Sequence, residues 1–404
     1  MTQAVLVLNV GSSSIKYQLL ALDDAGDGDR LATGSVDRIG EKGQGTLSHR
    51  PADAPAWERT EVFASHEQAL DAVLEAFRAA GPDLAAAELT AIGHRVVHGG
   101  SRFTEATVLD DDVLASLGEL NPLAPLHNPA NITGIEVARK AFPGVPQVAV
   151  FDTAFHQTLP ASAYTYAVPR EWRERYSVRR YGFHGTSHGY VSRRAAAFLG
   201  RPVEETNVIV LHLGNGASIC AVEGGRSVET SMGLTPLEGL VMGTRSGDLD
   251  PAVPAYLQRV AGLDAEAVER ELNRASGLLG LAGSNDLRDV KKTADEGDPD
   301  ARLAYEVYCH RIRKYIGAYY AVLGRVDAVV FTAGVGENDE RTRALSTHGL
   351  ERLGIRVDPV RNAADARGER SVSAPGAQVP VLVIPTDEEI EIARQTLGAL
   401  GHAA

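Results

Sequence analysis

Two short stretches of the sequence place glycine and small polar residues directly after an apolar strand pattern. In VLVLNVGSSSIK, residues 5–16, an apolar run ends at Gly11, and three serines and a lysine follow. In VIVLHLGNGASICAVE, residues 208–223, a second apolar run ends at Gly214. Glycine permits tight turns in which backbone N–H groups converge on an anion, and Ser12 and Lys16 add a hydroxyl donor and a cation. This pattern indicates phosphate binding.

The two stretches align with each other, residues 7–12 over residues 210–215. As a repeat, the alignment predicts two similar halves, each of which offers a hairpin loop to a cleft between them. The alternative is two ordinary hairpins, because Gly-Ser loops are common. We predict a third glycine loop in AVVFTAGVGEND, residues 328–339, where glycines again directly follow an apolar strand, and this favours the repeat. Neither G-x-x-x-x-G-K-[ST] nor a strand-linked G-x-G-x-x-G occurs, so neither a P-loop nor a Rossmann site is supported.

The elements that position these loops alternate along the chain. Short apolar runs predict strands at residues 4–10, 15–21, 59–63, 90–97, 147–151, 207–213, 217–222 and 327–332. Helical spacing predicts a helix that Ser65 caps and Gly81 stops, and helices at residues 131–142 and 301–323. A chain of 404 residues is long enough for two domains. We therefore expect an α/β fold with sheets flanked by helices.

Composition and charge exclude several classes of function. Lys and Arg total 40 and Asp and Glu total 53, and the resulting net charge of -13 argues against a nucleic-acid partner. No apolar run approaches the ~18–20 residues of a membrane span, and the N-terminus lacks the basic region of a signal peptide. We therefore expect a cytoplasmic protein without a membrane partner. Cys220 and Cys309 lack metal-site spacing, so we expect both to be buried apolar residues.

Nine sequence blocks together carry a specific resemblance. They are VLVLNVGSSSIK, HRVVHGG, LAPLHNP, FDTAFH, RYGFHGTSH, HLGNG, TPLEGLVMGTRSGDLDP, TAGVGEN and PTDEE, in this order along almost the whole chain. The chain resembles the acetate kinase family, within the superfamily of sugar kinases, actin and chaperone ATPases. The resemblance implies two similar domains with duplicated mixed β-sheets flanked by helices, an actin-like ATPase fold with a nucleotide cleft between the domains. It also implies an N-terminal domain of residues 1–152 completed by 386–404, and a nucleotide-binding and dimerising domain of residues 153–385.

The reaction implied by the resemblance is reversible, direct in-line transfer of the ATP γ-phosphoryl group to acetate, which gives acetyl phosphate and ADP. Acetate is ionised at neutral pH and needs no general base, so the protein must hold two anions in line despite their repulsion. Arginines and a divalent metal ion are therefore expected. The implied co-substrates are ATP and ADP, the implied metal ion is Mg²⁺ with Mn²⁺ tolerated, and the implied assembly is a homodimer.

Four catalytic residues follow from the matched blocks. The resemblance gives Arg95 the acetate-binding role, in which a planar guanidinium pairs with a carboxylate through two hydrogen bonds. It gives Arg245 and His184 the role of stabilising charge on the phosphoryl oxygens. Asp152, directly after a predicted strand, is expected to position Arg245 or metal-bound water. We favour direct transfer over an aspartyl-phosphate, because an ionised acetate makes that extra step unnecessary.

The resemblance also assigns the remaining contacts. The residues around the acetate methyl group are Val97, Leu126, Phe183 and Pro236, all of which also fit ordinary core positions. The nucleotide contacts are Ser12, Lys16, His212, Leu213, Gly214, Asn215, Gly216, Asp286, Leu287, Arg288, Gly334, Val335, Gly336, Glu337 and Asn338. The metal ligands are Asn9 and Glu388. Residues 386–389, TDEE, are typical of a capping box that opens a last helix, so helix-dipole complementarity is the alternative role of Glu388.

Three alternative functions remain open at this point. A propionate or butyrate kinase of the same fold is distinguished by relative rates on the acid series. A non-metabolic ATPase of the actin or chaperone kind is distinguished by ATP turnover that needs no carboxylic acid. A metallohydrolase would bind metal through spaced histidines such as His184 and His188. That pair requires a helix, whereas Gly182 and Gly185 indicate a turn.

Overall fold

Strands and helices alternate through the chain, of which the computed structural model describes residues 2–23, 26–84 and 87–402. Within these residues the strands are β1 Gln3–Val10, β2 Ile15–Leu22, β3 Gly28–Val36, β4 Gly45–Pro51, β5 Trp57–Glu61, β6 Leu89–Val96, β7 Thr107–Val108, β8 Gln147–Phe151, β9 Asn207–Leu213, β10 Ala217–Glu223, β11 Arg226–Thr230, β12 Ala328–Thr332, β13 Arg370–Ser371 and β14 Val381–Val383. The helices are α1 His66–Ala80, α2 Asp111–Glu119, α3 Asn128–Ala141, α4 Ala161–Tyr164, α5 Arg170–Tyr176, α6 Gly185–Phe198, α7 Ala252–Ala261, α8 Ala265–Arg274, α9 Gly277–Ala282, α10 Leu287–Asp295, α11 Pro299–Leu323, α12 Ala333–Asn338, α13 Glu340–Thr347, α14 Pro359–Ala363 and α15 Glu388–Ala399. The predicted α/β class is confirmed.

The chain divides into two compact units. Unit 1 comprises Met1–Phe155 with Asp387–Ala404, and unit 2 comprises His156–Thr386. The functions expected for domains of residues 1–152 with 386–404 and of residues 153–385 stay predictions. Over the described residues, no helix combines the length and apolar character that crossing a membrane requires.

A mixed sheet forms the centre of unit 1. In the described chain its strand order is β5-β4-β3-β2-β1-β6-β8-β7. β1 pairs antiparallel with β2 and parallel with β6, and β6 pairs parallel with β8. On one face Phe77 of α1 packs into a core with Leu8, and on the other Leu397 of α15 packs with Val7. Because parallel strands end at the same edge, the carboxyl ends of β1, β6 and β8 lie side by side.

The sheet of unit 2 repeats this topology. Its order, over the residues described, is β11-β10-β9-β12-β14-β13. β9 pairs antiparallel with β10 and parallel with β12, and β12 pairs parallel with β14. These four strands therefore correspond to β1, β2, β6 and β8 of unit 1. The repeat predicted from residues 7–12 and 210–215 is confirmed, because each segment ends the first strand of its motif and enters the following hairpin.

The third predicted glycine loop is wrong, because residues 333–338 form the short helix α12 directly after β12. Ala333 has a positive φ of 63°, so the chain passes from strand to helix within one residue.

The predicted turn around Gly185 is wrong in part. His184 has left-handed backbone angles, but Gly185 is already the first residue of α6. Glycine content alone did not separate a loop from the first turn of a helix.

Three strands described in unit 1 were not predicted, namely β3, β4 and the two-residue β7. The segments of β3 and β4, GDRLATGSV and GTLSHRP, are too polar to show a strand pattern. They form as successive antiparallel neighbours of β2, where the backbone hydrogen-bond ladder specifies the strand.

α1 agrees with its prediction, since the hydroxyl of Ser65 accepts a hydrogen bond from the N–H of Gln68 at 3.2 Å. Cys220 and Cys309 are buried, as expected.

Gly93 in β6 allows α15 to pack directly on the sheet of unit 1. A Cβ atom at this position would lie 2.4 Å from Thr396 Oγ1 and 3.0 Å from Ile392 Cγ2. We expect Gly93→Val to destabilise the protein by about 1–3 kcal/mol through overpacking, although valine favours strands. Chemical denaturation followed by circular dichroism measures this change. Gly118→Ala in α2, where an added Cβ meets nothing within 4 Å, is the control. Unchanged stability of Gly93→Val would contradict the packing argument.

Candidate functional site

Three polar side chains meet at the carboxyl edge of the unit 1 sheet. Asn9 and Arg95 are the penultimate residues of β1 and β6, and Asp152 directly follows β8. These three strands are parallel neighbours, so their ends converge although the residues are far apart in sequence. The sequence predicted each residue separately, and the strand pairing brings the three together.

Arg95, which is partly buried, forms an ion pair with the buried Asp152. Nε and Nη2 of Arg95 donate to Oδ1 and Oδ2 of Asp152 at 2.9 and 2.5 Å, and the Asp152 side chain is 1% exposed. Nη1 lies 3.4 Å from Asn9 Oδ1. Burial lowers the pKa of Arg95, but the charges of Asp152 and Glu388 outweigh it and raise the pKa above its ordinary value. Burial raises the pKa of Asp152, and the Arg95 charge opposes that rise. Arg95 is thereby held charged and oriented.

Glu388 is the first residue of α15, and its charge reaches Arg95. Together with Asn9 Oδ1 it offers hard oxygen donors of the kind and number that Mg²⁺ takes from a protein. Within the described residues there is no group of three or more His, Cys, Asp or Glu side chains that could hold a metal ion. The predicted capping box is shifted by one residue. Asp387 is the cap, and its carboxylate accepts from the N–H of Ile390 at 3.2 Å.

Ser12 and Lys16 lie in the β1–β2 hairpin of unit 1 and are both exposed. The N–H of Gly11 donates to the carbonyl of Ser14 at 2.8 Å, so one amide expected to face an anion closes the hairpin instead. Lys16 pairs with Asn9 in the β1–β2 register and lines a cavity of ≈ 270 Å³ that Glu389 also lines. A nucleotide role for Ser12 and Lys16 stays a prediction.

His184 and Arg245 of unit 2 converge on Gly216. A Cβ atom on Gly216 would lie 3.0 Å from Arg245 Nη2 and 3.6 Å from His184 Nε2. Nη1 of Arg245 donates to the carbonyl of Pro236 at 2.7 Å, and no ion pair joins Arg245 to a carboxylate in the described part of the chain. Burial lowers the pKa of Arg245. A partly buried cation without a carboxylate partner, next to a glycine, is arranged to receive an anion.

His184 belongs to a group of histidines that contact one another. Its ring stacks on that of His212, with centroids 4.3 Å apart and planes inclined by 24°. His184 Nδ1 and His188 Nε2 lie 2.9 and 2.7 Å from the hydroxyl of Ser218. Burial, with smaller contributions from His156 and His212, lowers the pKa of His188 well below its ordinary value. His184 and His188 therefore share a serine hydroxyl.

A cavity of ≈ 610 Å³ in unit 2 lies where the loop after β9 meets α10 and α12. Its volume is in the range typical of sites for small ligands. Asp286 is the N-cap of α10, and its carboxylate accepts from the backbone N–H of Arg288 at 2.9 Å. Eight predicted nucleotide contacts line this cavity: Gly214, Asn215, Asp286, Leu287, Arg288, Gly334, Val335 and Asn338.

The other predicted nucleotide contacts do not line the cavity of unit 2. Among them, Glu337 Oε1 accepts a hydrogen bond from the N–H of Thr386 at 3.3 Å, and burial raises the pKa of Glu337. His212 Nδ1 lies 2.8 Å from the hydroxyl of Ser187. The complete set outside the cavity lining is Ser12, Lys16, His212, Leu213, Gly216, Gly336 and Glu337.

Six residues that line the cavity were missed in the sequence: Gly243, Leu278, Asn285, Lys291, Tyr308 and Asp339. Lys291 Nζ pairs with Asp339 Oδ1 at 2.5 Å. The buried hydroxyl of Tyr308 has no hydrogen-bond partner among the described residues. Asn285 and Asp339 are next to the predicted contacts Asp286 and Asn338 in sequence, and this adjacency could have identified them. Lys291 and Tyr308 lie on helices with no motif, so no signal marked them.

The four predicted apolar contacts are divided between the units. In unit 1 Val97 is 9% exposed and Leu126 is 49% exposed. In unit 2 Phe183 is buried, and its carbonyl accepts from His156 Nε2 at 2.9 Å. The carbonyl of Pro236 accepts from Arg245. Phe183 and Pro236 therefore position neighbouring side chains through their backbone carbonyls.

The repeated sheet topology, with a ligand-sized cavity at the carboxyl ends of parallel strands in unit 2, defines the class of two-domain actin-like ATPase folds. Comparison with known proteins specifies the family. Residues 4–394 match the model of the Acetokinase family. The acetate kinase of Streptomyces avermitilis is 58% identical over 400 residues, which cover 99% of this chain and 98% of that protein.

Solved structures agree with this match. An acetate kinase from Porphyromonas gingivalis has a TM-score of 0.92 at 43% identity, covering 98% of this chain and 100% of that one. A propionate kinase from Francisella tularensis has a TM-score of 0.91 at 40% identity, covering 98% of this chain and 99% of that one. The chain belongs to the acetokinase family.

Gly334 in α12 borders the cavity of unit 2, and an added Cβ would meet nothing within 4 Å. We expect Gly334→Phe to fold normally and to weaken ADP binding about tenfold or more, because the ring would occupy the cavity. Isothermal titration calorimetry with ADP measures the affinity. Gly398→Phe in α15, whose Cβ position is also without neighbours within 4 Å, is the matched control. An unchanged ADP affinity in Gly334→Phe would rule out this cavity as the nucleotide site.

Proposed function

We propose that the protein catalyses reversible transfer of the γ-phosphoryl group of ATP to acetate, giving acetyl phosphate and ADP. The observation that carries the proposal is Arg245, a partly buried cation that converges with His184 on Gly216 and has no carboxylate partner in the described chain. Preorganised donors of this kind stabilise the charge on the equatorial oxygens of a transferring phosphoryl group. The carboxylic-acid acceptor is supported by the relatives, which are named acetate and propionate kinases.

Arg95 is the proposed acetate-binding residue. Asp152 occupies the Nε–Nη2 side of its guanidinium, whereas Nη1 makes a long contact of 3.4 Å with Asn9 Oδ1. The Nη1–Nη2 edge therefore offers two parallel N–H donors, which is the geometry that matches a carboxylate. In this proposal Asp152 positions Arg95, in place of the expected role of positioning Arg245 or metal-bound water, because its ion pair sets the direction in which that edge points.

The proposed chemistry is a direct displacement at the γ-phosphorus. One acetate oxygen forms a bond to phosphorus while the bond to the β–γ bridging oxygen breaks, and ADP leaves with that electron pair. No proton has to be removed, because acetate is already ionised at neutral pH. Arg245 and His184 donate hydrogen bonds to the oxygens of the transferring group. Asp152 forms no phosphoenzyme, since both of its carboxylate oxygens are engaged by Arg95.

Mg²⁺, with Mn²⁺ tolerated, is the proposed metal ion, and Asn9 and Glu388 are its proposed ligands. When bound, the ion would neutralise negative charge on the phosphates of the nucleotide. The residues fit this role, because both side chains supply oxygen donors near Arg95. Glu388 also lies in the first turn of α15, so a purely structural role through the helix dipole is the competing explanation.

The cavity of unit 2 is the proposed site of ATP and ADP, with Ser12 and Lys16 as further proposed contacts in unit 1. Val97, Leu126, Phe183 and Pro236 are the proposed contacts of the acetate methyl group. One methylene in an apolar pocket changes binding by only ~1–3 kcal/mol, so propionate should be a slower substrate. The propionate kinase among the structural relatives makes a longer acid the second candidate. A cytoplasmic homodimer is proposed from the family resemblance.

Hydroxylamine trapping of acyl phosphate tests the reaction directly. We expect acetate-dependent hydroxamate in the presence of ATP and Mg²⁺, with lower rates for propionate and butyrate. Arg245→Ala should lower kcat by about 100-fold to 1000-fold, because a transition-state donor is removed. Arg170→Ala, at an exposed arginine of α5 in the same unit, is the control. ATP hydrolysis without acid-dependent product would instead identify a non-metabolic ATPase.

Glu388→Gln separates the metal role from the helix-dipole role. We expect the Mg²⁺ concentration for half-maximal activity to rise roughly tenfold, corresponding to about 1.4 kcal/mol of binding free energy. Glu389→Gln removes the same charge from the same helical turn and is the matched control. Mg²⁺ titrations of acetate-dependent hydroxamate formation give both values. Equal shifts in the two variants would show that only the helix dipole is affected.

A further inference from the structure

Ser218 in β10 is fully buried and contacts two histidines at once. Its hydroxyl oxygen lies 2.9 Å from His184 Nδ1 and 2.7 Å from His188 Nε2. A hydroxyl has one proton to donate and lone pairs that accept. Among the described residues the hydroxyl contacts only these two ring nitrogens, so its proton has an acceptor only if Ser218 donates to one ring and accepts from the other. The three side chains then form a hydrogen-bonded chain in which every donor points the same way.

His188 decides that direction. It is fully buried in α6, and burial keeps it neutral by lowering its pKa well below the ordinary value. A neutral imidazole carries one N–H, and in the described chain its Nδ1 has no hydrogen-bond partner. A proton on Nδ1 would be a buried donor without an acceptor, which native structures largely avoid. The proton therefore belongs on Nε2, where Ser218 accepts it.

Ser218 then has to donate its own proton to His184 Nδ1. A neutral His184 consequently carries its proton on Nε2. That nitrogen lies 3.6 Å from the Cβ position of Gly216, where Arg245 Nη2 is 3.0 Å away. His184 Nε2 and Arg245 Nη2 are thus two donors near one position beside the loop of residues 214–216. His184 donates there as a neutral ring and needs no second proton.

We infer that Ser218 is a positioning residue, which passes a hydrogen bond from His188 to His184 and holds His184 as the Nε2–H tautomer. The catalytic consequence of this tautomer rests on the proposed phosphoryl transfer. The assignment of the tautomer itself does not depend on the proposed phosphoryl transfer. The alternative is a His184 that carries a proton on Nδ1 and donates it to Ser218, which would leave either the Ser218 proton or a proton on His188 Nδ1 without an acceptor.

Nitrogen NMR of the histidine side chains in the full-length enzyme tests the structural part. Signals of His184 are assigned by their loss in His184→Asn. We expect an unprotonated Nδ1 and a protonated Nε2 in the wild type and in Ser218→Thr, which keeps the hydroxyl, and a mixture of tautomers in Ser218→Ala. Ser227→Ala removes a buried serine that contacts His156 at 2.8 Å and should leave His184 unchanged. A doubly protonated His184, or the same tautomer in Ser218→Ala, would overturn the inference.

Kinetics test the catalytic part. Ser218→Ala should lower kcat for hydroxamate formation about tenfold to a hundredfold, with little change in KM for acetate or ATP, because only transition-state donation is lost. In the His184→Asn background the same substitution should have no further effect, since both act through one interaction. If the two substitutions lower kcat additively in the double variant, Ser218 does not act through His184 and the positioning role is wrong. Absence of acetate-dependent product in the wild type would refute the proposed function, while the NMR result would still decide the tautomer.

Discussion

Parallel pairing of the central strands is the constraint on which both candidate sites depend. In unit 1 the pairing of β1 with β6 and of β6 with β8 brings their carboxyl ends to one edge, and Asn9, Arg95 and Asp152 lie there. In unit 2 the pairing of β9 with β12 places the loop after one strand beside the helix after the other. The two sheets share this topology, so one backbone arrangement builds an ion-pair site in the first unit and a cavity in the second.

The two arginines at these edges are held in opposite ways. Arg95 has its charge stabilised by Asp152, which raises its pKa against the effect of burial, and its orientation is set by two hydrogen bonds. Arg245 is held through the carbonyl of Pro236, and burial lowers its pKa. A carboxylate partner screens a guanidinium from an incoming anion, whereas a neutral carbonyl leaves most of its field available. The first arrangement suits orientation of a ligand, and the second suits stabilisation of developing negative charge.

Local patterns predicted those elements whose side chains alone specify them. The buried strands β8 and β9 were predicted with the bounds that the structure gives, because every one of their residues is buried and mostly apolar. The polar strands β3 and β4 were not predicted, because their neighbours in the ladder specify them. The segment after β12 was predicted as a loop and is the helix α12, since two glycines and a strand end are compatible with either structure.

The sequence by itself determined the family, the repeat of two glycine hairpins and the residue types expected for phosphoryl transfer, because these are carried by short blocks of contiguous residues. Only the tertiary structure decided which groups meet. It paired Asp152 with Arg95, placed Ser218 between His184 and His188, and added Lys291 and Tyr308 to the wall of the cavity. Distances between residues many positions apart are set by strand pairing and helix packing. No local pattern encodes them, so they could not be derived from one sequence.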